Sequence, residues 1–355
     1  MARTFHPNLR DILTDGNIVA IVAKQRLRAA DGPGTPIFPP TYLGSDDRPT
    51  YCISLLDDGG NVCVVDSVQS QANRIEAAFM DEPYRSLVRR VQVTAQLPNA
   101  ETRTLDMLQL GHRLADAAVT FSTLAEQAKA AMHSFGDGPD EIARLSPMSL
   151  LFGMWESRGE KRQTRIPRAL SSTITARNVR VLRRMATFAG SFWSKDLGLE
   201  GKRSSEGLDP VPTGEALGGI MAEGEILRSA TLNLVALRQN CKITTAVPVS
   251  PAAWYMFALA LVAITVPSES YLRQGCLLVG DGDIEIRVVA RSGKDENLTL
   301  DHQNILGIAR DAARDFGVST LEPIEAVFQT DRLEPSPTDK GKQLPGGKDK
   351  TARGK

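Results

Sequence analysis

Apolar and polar positions along this chain follow two patterns, and each predicts a different kind of element. Residues 17–28 (NIVAIVAKQRLR) form a continuous apolar run that turns basic at its end. That pattern predicts a central strand that leaves the sheet at a positively charged edge, where Arg26 lies. Residues 51–56 and 61–65 flank Asp-Asp-Gly-Gly at 57–60, which predicts a hairpin of two further strands.

An amphipathic helix is predicted directly after this hairpin, in the segment DSVQSQANRIEAAFM at 66–80. Asp66 or Ser67 can cap its first turn. Its first two turns carry amides and a guanidinium, which suit a phosphate group at a helix N-terminus: Gln69, Gln71, Asn73 and Arg74. The same spacing is typical of an ordinary amphipathic surface helix, so both interpretations stay open at this point.

Two longer helices are predicted from apolar spacing and from the residues at their ends. Residues 105–134 carry apolar positions that step by four and three, and the sequence FGDGP at 135–139 ends the helix. Residues 254–266 (WYMFALALVAITV) are almost wholly apolar but span only about half a membrane. A run this short predicts a buried core helix, which starts near Pro251 with Ser250 as its N-cap.

The last third of the chain predicts a compact unit of strands and helices. Residues 226–237 fit either a strand or a helix, and we favour a strand. The apolar helix follows, then strands 276–279 and 284–290 joined by a hairpin turn, and helix 299–316, which ends at Gly317. Preceded by strand 17–28 and a long insert, this order is close to the split βαβ arrangement of ferredoxin-like folds. RNA-recognition domains are one branch of those folds, and the expected class is α+β.

The composition excludes some classes of function but says less about the fold. The chain has 355 residues, and 42 Lys and Arg balance 42 Asp and Glu. Such a length allows one elaborated domain or two ordinary ones, and the neutral total argues against a protein that coats DNA generally. The four cysteines lack CxxC spacing, and neither a metal nor a cofactor is expected. The first residues contain no apolar signal segment, so we expect a cytoplasmic protein.

One stretch, residues 155–184, concentrates positive charge. It holds nine Lys or Arg residues against Glu156 and Glu160, and eight of the nine are arginines. Arginine offers a planar fork that matches phosphate and that also stacks on a base. Ser, Thr and Asn side chains lie between the charges and suit phosphate or ribose. Contact with nucleic acid is therefore one interpretation, and a solvated basic surface is the other.

Two further segments differ in composition from a folded core. Residues 197–224 are rich in glycine and carry the pair Lys202 and Arg203. We interpret them as a long protruding loop or hairpin, because loops of this length in a compact domain are usually functional or disordered. Residues 331–355 are rich in Pro, Gly and Lys, which predicts a disordered tail.

A catalytic constellation is missing from the sequence. There is no GxSxG or HExxH motif, and the four histidines share no neighbourhood along the chain. Asp66, at a strand-to-helix junction, is the carboxylate best placed for catalysis, although a helix cap explains it equally well. We therefore expect a binding protein and not an enzyme.

Four segments carry a resemblance to a known family: IFPPTY (37–42), VVDSVQSQANRIE (64–76), LGHRLADA (110–117) and SPMSLLFGMWESRGEKRQTRIPRALSSTITARNV (146–179). They resemble the CRISPR-associated RAMP family of type I-G (formerly I-U) systems, which is the backbone subunit of a Cascade-type effector complex. The resemblance spans roughly residues 1–320 in order. Its most specific motifs are DSVQSQANR and SLLFGMW…R…RA.

The resemblance implies a single RAMP-type domain over 1–330, an RRM-like palm that carries large insertions. The palm is expected at about 10–30 and 225–320, a finger-like insert at about 31–195 and a thumb-like loop at about 196–224. Several copies would polymerise along a CRISPR RNA as a helical filament, together with other effector-complex subunits. The guide would then pair with target DNA, and a separate helicase-nuclease would cut it. We expect no contact with a membrane.

We expect the residues that contact the guide within the motifs that carry the resemblance and beside them. The expected RNA-binding residues come from the helix start, the basic stretch and the edge of the palm strand: Arg26, Gln69, Gln71, Asn73, Arg74, Arg162, Arg165, Arg168, Arg177 and Arg180, with Lys202 and Arg203 in the thumb-like loop. Two alternatives stay open. One is a RAMP-like endoribonuclease that uses Asp66 or His112, and the other is a scaffold whose basic stretch binds an acidic partner protein.

Overall fold

The structure is a computed structural model that describes residues 8–156, 164–188, 198, 204–206, 208, 211–244, 248–267 and 269–333. Its helices are α1 (Leu9–Thr14), α2 (Val68–Ala78), α3 (Ala117–Thr120), α4 (Ala125–Ser134), α5 (Asp140–Leu145), α6 (Pro147–Phe152), α7 (Leu234–Asn240), α8 (Pro251–Thr265) and α9 (His302–Phe316). Short 3-10 turns lie at Arg85–Leu87, Met107–Gln109, Arg113–Ala115, Ser204–Glu206, Val318–Thr320 and Thr330–Arg332.

The strands, in chain order, are β1 (Ile18–Ala29), β2 (Thr41–Leu43), β3 (Pro49–Tyr51), β4 (Ile53–Leu55), β5 (Asn61–Asp66), β6 (Val91–Gln96), β7 (Thr102–Asp106), β8 (Met154–Trp155), β9 (Arg165–Ile166), β10 (Leu170–Arg177), β11 (Val179–Phe188), β12 (Val211–Ala222), β13 (Ile226–Asn233), β14 (Tyr271–Arg273), β15 (Cys276–Gly280), β16 (Glu285–Ala290), β17 (Asp295–Asn297) and β18 (Ile324–Val327).

A nine-stranded sheet forms the centre of the fold. Its main path runs β14–β15–β1–β13–β10–β5–β4, and β16 and β17 extend it beside β1. Every pairing within this sheet is antiparallel. A smaller sheet joins β18, β6 and β7, with β18 parallel to β6. The α+β class expected from the sequence is confirmed.

The central strands have one buried face and one partly exposed face. Every second residue of β10 and β13 is buried, starting from Leu170 and Ile226, as the period of two in a strand requires. Helix α2 packs against β10, and α8 packs against β13. The opposite face carries short hydroxyl side chains that are partly exposed: Ser171, Thr173, Thr175, Ser229 and Thr231.

The most apolar segment folds as α8, and the prediction of a buried core helix is confirmed. From Tyr255 to Ile264 every residue is fully buried. Pro251 occupies the first turn, and Ser250 Oγ accepts a hydrogen bond from the Ala253 N–H at 3.2 Å. Within the described residues, no helix is long and apolar enough to cross a membrane.

Other elements with strong local signals also form as expected. β1 covers the predicted first strand, and β4 pairs with β5 across the predicted hairpin turn. Ser67 caps α2 by accepting a hydrogen bond from the Ser70 N–H at 3.2 Å. Asp301 caps α9, and Gly317 ends that helix in the left-handed conformation, with φ of +81°.

The single helix predicted over 105–134 is wrong. The chain there forms the end of β7, two 3-10 turns and the short helices α3 and α4. Asp106 and Asp116 explain the breaks, because each side chain accepts a backbone N–H bond and starts a new turn, at 3.1 and 2.9 Å.

Two predictions in the last third also need correction. The strand expected over 226–237 ends at Asn233, whose side chain accepts a hydrogen bond from the Ala236 N–H at 3.0 Å and caps α7. The hairpin expected between β15 and β16 is wrong, because both strands run antiparallel to β1 along the same edge. The Gly-Asp pairs at 280–283 therefore connect two strands that run in the same direction beside β1, and the chain does not reverse there.

The glycine-rich segment is described in part. Residues 211–222 form β12, which pairs with β11 and makes one arm of a two-stranded ribbon. The segment therefore supplies one arm of a hairpin, and residues 179–188, which precede it, supply the other. Lys202, Arg203 and residues 334–355 of the predicted tail lie outside the described residues.

A buried cation without a partner lies on the core face of β13. Arg228 is 3% exposed, and no hydrogen bond or ion pair joins its guanidinium to another described residue. Burial lowers its pKa to about 10, so the guanidinium remains charged at neutral pH. It borders a cavity of about 220 Å³ whose wall also includes Arg74, Asp81 and Glu269. Burying a charge without a partner is costly, so Arg228 should reduce stability.

Replacing Arg228 with Met is expected to raise the free energy of unfolding by about 1–4 kcal/mol, because it removes a desolvated charge and keeps an apolar stem. Urea unfolding at neutral pH measures this change.

Arg238→Met is the matched control. Its guanidinium donates to four backbone carbonyls, those of Ile12, Leu13, Asp15 and Ile18, at 2.7–3.0 Å. Losing these charge-assisted bonds should cost about 3 kcal/mol or more. A destabilisation of Arg228→Met as large as that of Arg238→Met would contradict the account of Arg228.

Candidate nucleic-acid interface

A short ribbon of β8 and β9 frames a cleft at the protein surface. After α6, Gly153 turns the chain into β8, which pairs antiparallel with β9. Met154 and Ile166 are buried, whereas Trp155 and Arg165 are exposed. The register places Trp155 directly opposite Arg165. Side chains in such a pair have Cβ atoms about 4.5–5.5 Å apart, so these two can act on one ligand.

Gly153 is required at this corner for two reasons. Its φ is +82°, a conformation that favours glycine, and a Cβ there would lie 3.0 Å from the Ile166 carbonyl oxygen and 3.1 Å from the Arg168 nitrogen. Its own carbonyl accepts a hydrogen bond from Arg113 Nη1 at 3.1 Å. Glycine thus lets the two arms of the ribbon approach closely at the base of the cleft.

Arg168 links the ribbon to the start of α2. Its Nε donates to the Phe152 carbonyl at 3.1 Å, and its Nη2 lies 3.5 Å from Gln69 Oε1. Gln69 Nε2 donates in turn to Asn73 Oδ1 at 3.0 Å. Burial lowers the pKa of Arg168, and the nearby charge of Arg113 lowers it further. Three expected site residues, Arg168, Gln69 and Asn73, are thus linked by side-chain contacts at the surface.

A buried ion pair supports the cleft from below. Arg113 Nε and Nη2 contact Glu76 Oε1 and Oε2 at 2.6 and 3.0 Å, and the two side chains are 5% and 1% exposed. Burial raises the pKa of Glu76, and the charge of Arg113 opposes that rise. Because Arg113 also binds the Gly153 carbonyl, the pair fastens α2 to the corner of the ribbon.

The cleft has a volume of about 510 Å³, within the range of ligand sites. Its polar and aromatic wall residues come from α2, the turn at 112–113, the end of α6, the ribbon and the residues next to the ribbon: Gln69, His112, Arg113, Phe152, Trp155, Glu156, Arg165 and Arg168. The three arginines outnumber Glu156 and the buried Glu76 behind the wall, so the net charge favours an anion. In the part of the chain that the structure describes, no group of three or more His, Cys, Asp or Glu could hold a metal ion.

Asp66, the carboxylate singled out for possible catalysis, is fully buried where β5 leads into α2. Ser70 Oγ and Arg273 Nη2 donate to its Oδ1 at 2.8 and 2.9 Å. Gln71 Nε2 and Arg74 Nε donate to its Oδ2 at 2.7 and 3.1 Å. Four side-chain donors therefore occupy both oxygens, and the carboxylate holds elements together.

Two expected RNA-binding residues are engaged inside the protein by this network. Gln71 is 2% exposed, and its Oε1 accepts a hydrogen bond from Ser172 Oγ at 2.9 Å. Arg74 also donates to a backbone carbonyl of β14 at 2.6 Å. Gln69 and Asn73 are the exposed amides of the helix start. Of the four residues expected to bind RNA at α2, Gln71 and Arg74 therefore face inward, and Gln69 and Asn73 lie at the surface.

The remaining described site residues lie at the other end of β10, about 23 Å from its start by the rise of a strand. The Arg177 N–H donates to the Glu225 carbonyl at 3.0 Å, and Arg26 Nε lies 3.8 Å from Glu225 Oε2. Arg180 pairs with Glu223 at 3.3 Å. Exposed pairs of this kind contribute little to stability. We name Arg26, Arg177 and Arg180 the Glu225 group, and Gln69, Asn73, Arg165 and Arg168 the cleft group.

Some residues fall outside these groups. Arg162, Lys202 and Arg203, all expected to bind RNA, lie outside the described residues. Trp155 was not among the expected site residues, although it lines the cleft. Its position at the first residue of the basic stretch was the available signal, because an aromatic ring beside arginines indicates base stacking.

The comparison with protein families adds an independent observation. Over residues 21–181 the chain is similar to the family described as CRISPR-associated protein GSU0053, which supports a CRISPR-associated protein. No curated protein sequence matched the chain. The matched segment includes every residue that lines the cleft, from Gln69 on α2 to Arg168 after the β8–β9 ribbon.

The buried pair beneath the cleft generates a stability prediction. Arg113→Met should lower the free energy of unfolding by about 3–5 kcal/mol at neutral pH, because it leaves the Glu76 carboxylate buried without a counter-ion. The remaining burial raises the pKa of Glu76, so the folded state binds its proton more tightly than the unfolded state. The deficit should therefore shrink as the pH falls towards the ordinary glutamate pKa of about 4.3.

Urea unfolding across this pH range tests the prediction, and the double variant Glu76→Leu with Arg113→Met serves as the control. Because both charges are removed, the double variant should recover much of the loss at neutral pH. A deficit in Arg113→Met that is independent of pH would contradict the role given to the pair.

Proposed function

We propose that the chain is a CRISPR RNA-binding subunit of a type I effector complex, of the RAMP type found in I-G systems. In this role it polymerises along the guide, presents it for pairing with target DNA and does not cut nucleic acid. One observation carries the proposal. The cleft group gathers arginines and amides at one surface, within the segment that is similar to a CRISPR-associated family.

The strand order supports an RRM-type palm. β1, α2 and β10 form one βαβ unit, and β13, α8 and β16 form a second. The units interleave, because β13 lies between β1 and β10 while β1 lies between β13 and β16. That is the split βαβ arrangement of ferredoxin-like folds, of which RNA-recognition domains are one branch. In this proposal β10 serves as a palm strand in addition to the stretches 10–30 and 225–320.

The chemistry of the cleft supports binding through the RNA backbone. Arg165 and Arg168 can donate to phosphate oxygens, and the Gln69 and Asn73 amides suit phosphate or ribose. Such contacts carry no sequence information, which fits a subunit that must accept any guide. Target specificity then comes from pairing between guide and DNA.

The other parts of the proposal follow the family resemblance. Copies of the chain form a helical filament with further effector-complex subunits in the cytoplasm, and a separate helicase-nuclease cuts the target. β11 precedes the segment 196–224, and the later part of this segment forms its partner strand β12. We assign the segment as the thumb-like insertion, including Lys202 and Arg203. The insert 31–195, apart from α2 and β10, supplies the finger-like elements, among them the β8–β9 ribbon of the cleft.

The double variant Arg165→Ala with Arg168→Ala should weaken binding of single-stranded guide RNA about tenfold or more, because each arginine loses a charge-assisted bond. The slope of log affinity against log salt should fall by about 1.4, since each lost phosphate contact removes about 0.7. Fluorescence anisotropy across a salt series measures both changes.

Arg314→Ala is the matched control, because Arg314 is an exposed arginine of α9 with acidic neighbours on its own helix. It should leave affinity and slope unchanged. The triple variant of the Glu225 group, Arg26→Ala, Arg177→Ala and Arg180→Ala, should produce a second loss independent of the first. Equal affinity and slope for the wild type and the cleft double variant would refute the assignment of the cleft.

The endoribonuclease alternative retains one candidate near the proposed RNA path. His112 lines the cleft, whereas Asp66 is enclosed by four donors. Guide RNA and complementary RNA incubated with the protein, with and without Mg²⁺, should remain intact. Site-specific cleavage that His112→Ala abolishes would establish the nuclease instead.

A further inference from the structure

Trp155 exposes most of its surface at the edge of the cleft, with a relative exposure of 61%. A tryptophan left in water forgoes much of the stabilisation that burial of its large ring would give. Trp254 differs, because it is partly buried and the Arg10 guanidinium lies 4.2 Å from its ring centroid. In the described ranges, no cation or second aromatic ring covers the Trp155 indole. Among the residues that the structure describes, nothing of this kind keeps a ligand from its ring face.

The surroundings of the ring indicate the chemistry of that ligand. Arg165 stands directly across the ribbon from Trp155, and no ion pair with a described residue engages it. His112 and Arg168 lie on the wall of the same cleft. An aromatic face beside guanidinium groups matches a nucleotide, whose base stacks on the ring while its phosphate accepts from arginine. The polar, net positive wall favours this ligand over an apolar side chain of a partner protein.

We propose that Trp155 stacks on one base of the bound RNA, so that the cleft holds a single base while the adjoining phosphates contact Arg165 and Arg168. This inference rests on the proposed RNA-binding function and adds a contact that depends on the base. It remains compatible with guides of any sequence, because every base has a π face that can stack. The volume of about 510 Å³ lies within the range that holds small organic ligands.

The test compares two probes that share a backbone: a uridine oligomer and an oligomer of the same length without bases. Trp155→Ala should bind the uridine oligomer about 5- to 150-fold more weakly than the wild type, the range expected for loss of one stacked base. It should bind the abasic oligomer as the wild type does, because the arginines are intact. Trp155→Phe keeps an aromatic face and should retain most of the affinity for uridine.

Two further measurements separate stacking from a structural role of the ring. Binding of the uridine oligomer should quench tryptophan emission in the wild type, and Trp155→Phe should lose that quenching while it still binds. Tyr271→Ala is the matched control, because Tyr271 is a 57% exposed aromatic residue on β14 that does not line the cleft. It should bind both oligomers as the wild type does.

The outcomes distinguish this inference from the function on which it rests. If Trp155→Ala binds both oligomers as tightly as the wild type, stacking is refuted while RNA binding stands. An equal loss for both oligomers also refutes stacking, because the ring would then act on the fold or on backbone contacts. If the wild type binds neither oligomer, both the inference and the proposed function fail.

Discussion

The position of the candidate site depends on the hydrogen bonds that the buried carboxylate of Asp66 accepts. It is fully buried, and it accepts hydrogen bonds from Arg74 on α2 and from Arg273 on β14, 207 positions further along the chain. Its own backbone carbonyl accepts from Thr173 of β10 at 3.1 Å. A buried carboxylate is tolerated only when charged partners and hydrogen bonds offset its desolvation, so these contacts belong together. They fix the rotation of α2 about its axis, which turns Gln71 inward and leaves Gln69 and Asn73 at the surface.

A second buried carboxylate on the same helix completes this arrangement. Glu76 binds Arg113, and Arg113 binds the carbonyl of Gly153, so α2 and the corner of the ribbon are held by one set of bonds. Exposed residues of the cleft therefore lie on α2 and the β8–β9 ribbon, two elements that buried bonds hold together. Preorganised donors lose little conformational entropy when they bind a phosphate, which favours affinity. The same support presents the Trp155 ring at a fixed place beside Arg165, where a base and its phosphate can be bound together.

Local signals in the sequence predicted much of the fold, and contacts between distant residues account for what they missed. Ser67 and Ser250 begin helices and Gly317 ends one, each through contacts within a single turn, so those helix ends could be predicted. Asp106 and Asp116 are also local caps, but the apolar spacing over 105–134 concealed them and suggested one helix. For the site, the sequence predicted a basic surface and an amide-rich helix start. It could not distinguish Gln69 from Gln71, because that difference depends on Ser172, about a hundred positions away, and on the burial of Asp66. The pairing of Trp155 with Arg165 likewise depends on the close approach that Gly153 permits.

Ultraviolet crosslinking of the assembled complex to its RNA, followed by mass spectrometry of the crosslinked peptides, tests guide binding at the cleft most directly. The account predicts nucleotide adducts on peptides that contain Trp155, the segment 165–168 or the start of α2. Adducts confined to other surfaces, such as α9 or the small sheet of β6, β7 and β18, would contradict it. So would a purified complex that contains no RNA.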